Sequence, residues 1–149
     1  MKQKPEKRKP SPLYEILQEP AQVVREPVAE YLVRRVRTGL PLDEFHALRE
    51  LLETSEEALA AALGMSRTTL HRRKKAGRLD SQESERVIRL TRLFTRAEAV
   101  LGSQDAARHW LKTPARALGG ETPLSYSDTE IGAREVEDLL GRIEHGVFS

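Results

Sequence analysis

The stretch LAAALGMSRTTLHRRKK, residues 59–75, decides the fold predicted for this chain. It predicts two short helices joined at Gly64, because glycine adopts the positive φ of a sharp turn that other residues resist. The small side chain of Ala60 lets the two helices approach closely. Met65 and Leu70 are expected to fill the angle between the helices. This spacing is typical of a helix-turn-helix, whose second helix lies in the DNA major groove.

The second of these helices is strongly basic. Ser66 is expected to cap it by accepting a hydrogen bond from an early backbone N–H. Residues 67–78 hold six basic side chains and no acidic one. An ordinary helical hairpin with a solvated basic face is the alternative interpretation. The coincidence of small residue, glycine, apolar plugs and positive charge favours DNA binding.

Positions along the second helix predict individual DNA contacts. The predicted DNA-binding residues are Ser66, Arg67, Thr68, Thr69, His71, Arg72, Lys74, Lys75 and Arg78. Arg67 or Arg72 has the geometry to pair bidentately with a guanine edge. Thr68 or Thr69 is expected at a thymine methyl or a phosphate, and the later cations at phosphates. One helix-turn-helix reads only a half-site, so operator binding implies a homodimer or a larger assembly.

Composition narrows the class of protein. The chain has 149 residues, enough for one domain or two small ones with a real core. It lacks cysteine, which excludes disulfides and thiolate metal sites and fits a cytoplasmic protein. No apolar run approaches the roughly 18 residues of a membrane span. Residues 1–80 carry a net charge of +4 and residues 81–149 a net charge of −2, so the two ends suggest different partners.

The hydrophobic spacing along the chain predicts an all-α fold without strands. Thr54 and Glu57 have the spacing of a capping box, and Asp80 and Glu83 repeat it. A single apolar stripe follows, formed by Val87, Leu90, Phe94, Ala97 and Leu101, which predicts a core-facing helix. Ser103 is expected to cap the next helix and Asp128 or Thr129 the last one, with a loop over residues 115–127. The predicted organisation is a disordered basic arm at 1–12, a helical segment at 13–39, a helix-turn-helix domain at 40–101 and a C-terminal domain at 102–149.

Catalytic and metal-binding patterns are not found in the sequence. The four histidines, His46, His71, His109 and His145, are far apart and form no metal-ligand pair of the His-x-x-x-His type. Gly119-Gly120 lacks the rest of a phosphate-binding loop, and no nucleophile turn is present. We therefore expect no enzyme activity, no catalytic residue, no metal and no cofactor.

The C-terminal third closely resembles the toxin-binding domain of the Xre/MbcA/ParS antitoxins. The matching segments are ARHWL at 107–111, TP at 113–114, ALGG at 117–120, TPL at 122–124, DT at 128–129, GAREV at 132–136 and LLGRIEHGV at 139–147. The region from about residue 40 to 101 looks like the Xre-type helix-turn-helix of the same antitoxins. For residues 1–40 we recognise no resemblance to a family.

This resemblance implies an antitoxin of a bacterial type II toxin–antitoxin pair that represses its own operon. The usual partner of such antitoxins is a RES-domain toxin that degrades NAD⁺, so NAD⁺ is the toxin's substrate and not a cofactor here. By the same resemblance, the toxin-binding residues are expected to be Glu144, His145, Gly146, Val147, Phe148 and Ser149. Two other hypotheses stay open: a stand-alone helix-turn-helix regulator with a C-terminal dimerisation domain, and a scaffold adaptor.

Overall fold

One long helix, α6 (Ser81–Leu101), organises the structure. The computed structural model describes residues 11–18 and 26–146. The capping box of Asp80 and Glu83 starts α6, as predicted, and Gly102 ends it with φ of 93°. The predicted apolar stripe of α6 faces the core, with Phe94 and Ala97 fully buried. The α1, α2, α3, α7 and α9 helices all pack against α6, so it is the axis of a single hydrophobic core.

The described residues form helices joined by short turns, and none of them lies in a β-strand, as the sequence predicts. The other helices are α1 (Pro12–Leu17), α2 (Glu26–Thr38), α3 (Leu42–Leu52), α4 (Glu56–Ala62), α5 (Arg67–Ala76), α7 (Gln104–Leu111), α8 (Pro123–Tyr126) and α9 (Glu130–Glu144), with a 3₁₀ turn at Arg116–Leu118. Within these ranges the β pairing is confined to an isolated bridge between Pro41 and Arg78. That bridge joins the start of α3 to the end of α5.

The N-terminal helix α1 is fixed to α6 by a buried tyrosine. Ser11 caps α1 by accepting a hydrogen bond from the Tyr14 backbone N–H, inside the segment predicted as a basic arm. The Tyr14 hydroxyl donates to Glu98 at 2.6 Å and accepts from Gln104 at 2.9 Å. Burial, and then the hydrogen bond to Glu98, raise the pKa of Tyr14 to about 12. Residues 1–10 of the predicted arm lie outside the described residues.

Two local predictions are wrong in detail. The cap of α4 is Ser55, which accepts from the Ala58 backbone N–H, rather than a box of Thr54 and Glu57. The reason is that Glu53 ends α3 in a left-handed conformation, so the chain turns one residue later than the box requires. The segment 115–127 is also not a simple loop, since it holds the 3₁₀ turn and α8. Pro123, with its φ already helical, starts α8 behind the Thr122 cap.

The last helix, α9, lies against α6 and α8. Thr129, one of the two predicted caps, accepts a hydrogen bond from the Gly132 backbone N–H. Val136 and Leu140 of α9 are fully buried. On α7, capped by Ser103 as predicted, Trp110 packs against the core from a half-buried position. The C-terminal helices therefore share one core with the helix-turn-helix.

Candidate nucleic-acid interface and C-terminal surface

The turn between α4 and α5 has the geometry that the sequence predicts. Gly64 has φ of 72°, and a Cβ there would lie 2.6 Å from Nη1 of Arg86. That guanidinium donates to the Leu63 carbonyl at 2.7 Å, so an α6 side chain fixes the turn. Met65 and Leu70 are each 6% exposed and fill the angle between the helices. The helix-turn-helix is thus held on the α6 scaffold.

The start of α5 uses two of the predicted DNA-binding residues structurally. Ser66 caps the helix by accepting from the Thr69 backbone N–H at 3.1 Å. The Ser66 hydroxyl in turn donates to the Thr69 hydroxyl at 3.0 Å. Both side chains therefore help to fix the first turn of α5. To contact DNA through their hydroxyl groups, they would have to break the hydrogen bond between them.

Five of the predicted DNA-binding residues form one exposed face of α5. They are Arg67, Thr68, His71, Arg72 and Lys75. At about 100° per residue they occupy an arc of about 140°, on the side of the helix away from Leu70. None of these side chains has a partner among the described residues. The face is therefore exposed and positive, and its cations form no ion pair within residues 11–18 and 26–146.

The remaining two predicted cations have partners within the chain. Lys74 forms an ion pair with Glu56 of α4, and this hydrogen bond lowers the pKa of the Glu56 carboxyl. Arg78 donates to the Gly39 carbonyl at 2.6 Å and to the Thr38 carbonyl at 3.3 Å. These contacts connect α5 to α4 and to the end of α2, so both side chains also position the helix.

A residue that the sequence reasoning did not single out fixes the orientation of α5. Arg73 donates to Glu83 at 2.7 Å and to Asp80 at 3.1 Å, both at the start of α6. The hydrogen bond to Glu83 raises the pKa of Arg73. A signal was present, because Arg73 lies three residues after the buried Leu70, on the inward side of the helix.

The C-terminal surface is dominated by ion pairs between α6 and α9. Arg89 lies 3.1 Å from Glu130, Arg92 lies 2.9 Å from Glu137, and Arg96 lies 2.5 Å from Glu144. Later residues of α6 pair with later residues of α9, so the two helices run in the same direction. These paired arginines are a second feature that the sequence reasoning missed.

The predicted toxin-binding residues begin at the end of this ion-pair row. Glu144 is paired with Arg96, and His145 is the C-cap of α9. Gly146 has φ of 68°, the left-handed conformation in which a residue after a helix end is often found. The other predicted toxin-binding residues, Val147, Phe148 and Ser149, lie outside the described residues.

Next to these ion pairs is a groove of about 1190 Å³. One wall is apolar and comes from α1 and α2, including Leu17, Val28 and Leu32. The opposite wall comes from α9 and includes Gly141 and Arg142. The groove thus joins segments from the two ends of the described chain.

The described residues give no positive sign of metal chemistry or of membrane insertion. In residues 11–18 and 26–146, no three His, Asp or Glu side chains are grouped so as to hold a metal ion. In the same ranges, no helix is both long and apolar enough to cross a membrane.

Comparison with known families identifies two domains on this fold. The Antitoxin Xre-like helix-turn-helix domain matches residues 32–92, which include α3, α4 and α5. The Antitoxin Xre/MbcA/ParS C-terminal toxin-binding domain matches residues 96–146, which include α7 and α9. The two matched ranges meet within α6. The chain is therefore a helix-turn-helix protein with an attached toxin-binding domain.

Individual relatives agree with this assignment. The chain is 37% identical over 120 residues to an Antitoxin Xre of Yersinia enterocolitica, covering 79% of this chain and 81% of that protein. It is 45% identical over 74 residues to an Antitoxin Xre of Photorhabdus laumondii, covering 49% and 50%. It is also 25% identical over 124 residues to the Prs ADP-ribosylating antitoxin of a Sphingobium strain, covering 76% and 78%.

The chain belongs to the Xre antitoxin family. It is a type II antitoxin, and this family consists of regulators. Its two domains imply two partners, DNA and a cognate toxin.

Proposed function

We propose that this antitoxin binds its operator through the exposed face of α5 and represses its own operon. The observation that carries the proposal is the set of unpartnered cations on that face, Arg67, Arg72 and Lys75, beside His71. Free guanidinium groups near the start of a recognition helix are suited to guanine edges, and cations further along are suited to phosphates. Lys74 and Arg78 would contribute to phosphate binding while positioning the helix.

The same proposal includes a homodimer acting in the cytoplasm. A single α5 helix contacts one half-site, so tight operator binding needs two copies spaced by one helical turn of DNA. A dimer also doubles the number of phosphate contacts, which makes affinity fall steeply with salt.

We also propose that the cognate toxin is a RES-domain enzyme that consumes NAD⁺ and that the C-terminal domain blocks it. The sequence resemblance supports this toxin class. The name of the Sphingobium relative adds support, because ADP-ribosylation also consumes NAD⁺. In this proposal the end of α9 and the last residues, from Glu144 to Ser149, contact the toxin. Phe148 would supply the apolar anchor, since burying one such ring contributes about 1.5–3 kcal/mol.

The experiment that tests both halves uses the adjacent gene in the source genome. That gene is induced alone, with the full antitoxin, and with the variants Phe148→Ala and Arg72→Ala. We expect growth arrest by the toxin alone and rescue by the full chain and by Arg72→Ala. Phe148→Ala should rescue less well while retaining operator binding in a gel-shift assay.

Three results would contradict the proposal or part of it. A harmless neighbouring gene would favour a stand-alone transcription regulator. Equal loss of toxin and operator binding in Phe148→Ala would indicate general destabilisation and not a toxin contact. NAD⁺ levels measured during toxin induction identify the toxin class, and a constant level excludes the NAD⁺-consuming assignment.

A further inference from the structure

We propose that the groove between α1–α2 and α9 seats an apolar-faced segment of the cognate toxin. The N-terminal helices, and not the C-terminal domain alone, then determine which toxin is bound. The inference rests on the proposed toxin-binding function and extends it to α1 and the start of α2, which lie outside both family matches.

The position of the groove connects it to the toxin-binding domain. Its α9 wall lies within residues 96–146, the range matched by that domain. The facing wall includes Leu17 and Val28, which precede the range matched by the helix-turn-helix domain. A ligand in the groove would therefore contact the toxin-binding domain and the N-terminal segment together.

Gly141 supplies an independent reason to expect a close partner. It lies in the interior of α9 and lines the groove, and a Cβ added there would meet no atom of residues 11–18 or 26–146 within 4 Å. Glycine weakens a helix relative to alanine, so its presence here has a cost without an intramolecular reason. Gly132 of the same helix differs, because a Cβ there would lie 1.8 Å from the Tyr126 carbonyl oxygen. The exposed Ala99 of α6 also lines the groove, so a second small side chain contributes to its surface.

The charges around the groove indicate the chemistry of the occupant. Arg92 and Arg96 at its edge are already paired with Glu137 and Glu144. Arg142 and Asp138 also line the groove, and they have no ion-pair partner among the described residues. The fitting segment thus presents an apolar face to α1 and α2 and a polar edge to α9.

The test uses the full-length antitoxin and the purified toxin that it neutralises. Gly141→Gln fills the groove from α9, and Val28→Asp places a charge on its apolar wall. Glu135→Gln on α9 and Val33→Asp on α2 are matched controls, because both positions are exposed and neither lines the groove. We expect each groove variant to weaken toxin binding at least tenfold and each control to change it less than twofold. Operator affinity should stay within twofold, and the melting temperature of Gly141→Gln should equal or exceed that of the unmodified chain.

Several results would overturn the inference. If the unmodified chain neutralises the toxin and both groove variants bind it equally well, the groove is not the seat while the proposed function stands. If the unmodified chain neutralises no neighbouring gene product, the proposed function fails, and this inference fails with it. If Val28→Asp without toxin forms a smaller assembly in solution than the unmodified chain, the groove is assigned to a second copy of the chain. Faster amide exchange along α9 after removal of residues 147–149 would assign it to the chain's own terminus.

Discussion

One carboxylate oxygen, Oε1 of Glu83, accepts hydrogen bonds from the Arg73 side chain at 2.7 Å and from the Asp80 backbone N–H at 2.9 Å. The first contact comes from α5 and the second starts α6. Glu83 is only 5% exposed, so these donors replace the water that the carboxylate would otherwise hold. The orientation of the DNA-facing helix therefore depends on a buried charge that also caps the central helix.

Replacing Arg73 with alanine should destabilise the fold and weaken operator binding together. The change leaves the buried Glu83 without its cationic partner, which costs about 2–4 kcal/mol of unfolding free energy. Urea unfolding and gel shifts on the full chain measure the two effects. Arg72→Ala is the matched control, expected to weaken DNA binding while the unfolding free energy changes by less than about 0.5 kcal/mol. An Arg73→Ala protein as stable as the unmodified chain would refute the role assigned to this pair.

Replacing Arg72 with alanine should also change the salt dependence of operator binding. If Arg72 contacts a phosphate, its loss makes the negative slope of log K against log salt shallower by about one. If Arg72 contacts a base, its loss weakens binding and relaxes the sequence preference at that base. Fluorescence anisotropy at several salt concentrations separates these cases. Arg116→Ala removes the same charge from an exposed position in the C-terminal 3₁₀ turn and should leave the slope unchanged. An unaltered affinity for Arg72→Ala would remove Arg72 from the interface.

The two glycines of α9 should respond oppositely to alanine. At Gly132 the added Cβ would lie 1.8 Å from the Tyr126 carbonyl oxygen, so α8 and α9 must separate. We expect a loss of at least about 2 kcal/mol. At Gly141 the Cβ meets open space, so the better helix propensity of alanine should stabilise the fold by about 0.5–1 kcal/mol. Thermal unfolding compares the two variants, and a shift of the same sign in both would contradict this packing.

The pH dependence of stability should differ between two glutamates. Burial raises the pKa of Glu44 above its ordinary value of 4.5, although hydrogen bonds from Ser11 and Leu13 oppose the shift. The folded state thus holds this proton more tightly, and the stability that Glu44 contributes at low pH is lost as pH rises from about 4.5 through the folded pKa. Glu44→Gln should remove this loss, so its stability relative to the unmodified chain increases over that range.

Glu56 provides the control of opposite sign. Its hydrogen bond with Lys74 lowers its pKa, so its contribution is present above the ordinary value of 4.5 and is lost as pH falls through the folded pKa. At neutral pH the Glu56→Gln variant should therefore be less stable than the unmodified chain. This difference in the free energy of unfolding should shrink as the pH falls, because the unmodified chain then loses the contribution of the charged Glu56. The free energy of unfolding, measured from about pH 3 to about pH 7, tests both variants. Parallel pH profiles for the two would show that these local environments do not govern the titration.

Local rules explain why much of the helix-turn-helix was predictable. The conformation of Gly64, the cap at Ser66 and the buried side of Leu70 each depend on a few neighbouring residues. The capping box of α6 is equally local. The box expected at the start of α4 failed because the end of α3 shifted the turn by one residue.

Long-range contacts explain what the sequence did not reveal. The pairing of Arg92 with Glu137 joins residues 45 positions apart and depends on the packing of α6 against α9. The groove likewise requires α1 and α2 to lie opposite α9. Neither arrangement follows from spacing along one helix, because each depends on how helices distant in sequence pack in the core.

The continuous α6 helix has a consequence for how antitoxins of this kind acquire new toxin partners. The helix-turn-helix match ends at residue 92 and the toxin-binding match begins at residue 96, both inside α6. A recombination junction at that boundary would join the first half of α6 from one protein to the second half from another. The apolar residues of both halves would then have to pack in the same hydrophobic core. Exchange of whole domains is therefore disfavoured, and new pairings are expected to arise by gradual substitution on the outer surfaces of α9 and α2.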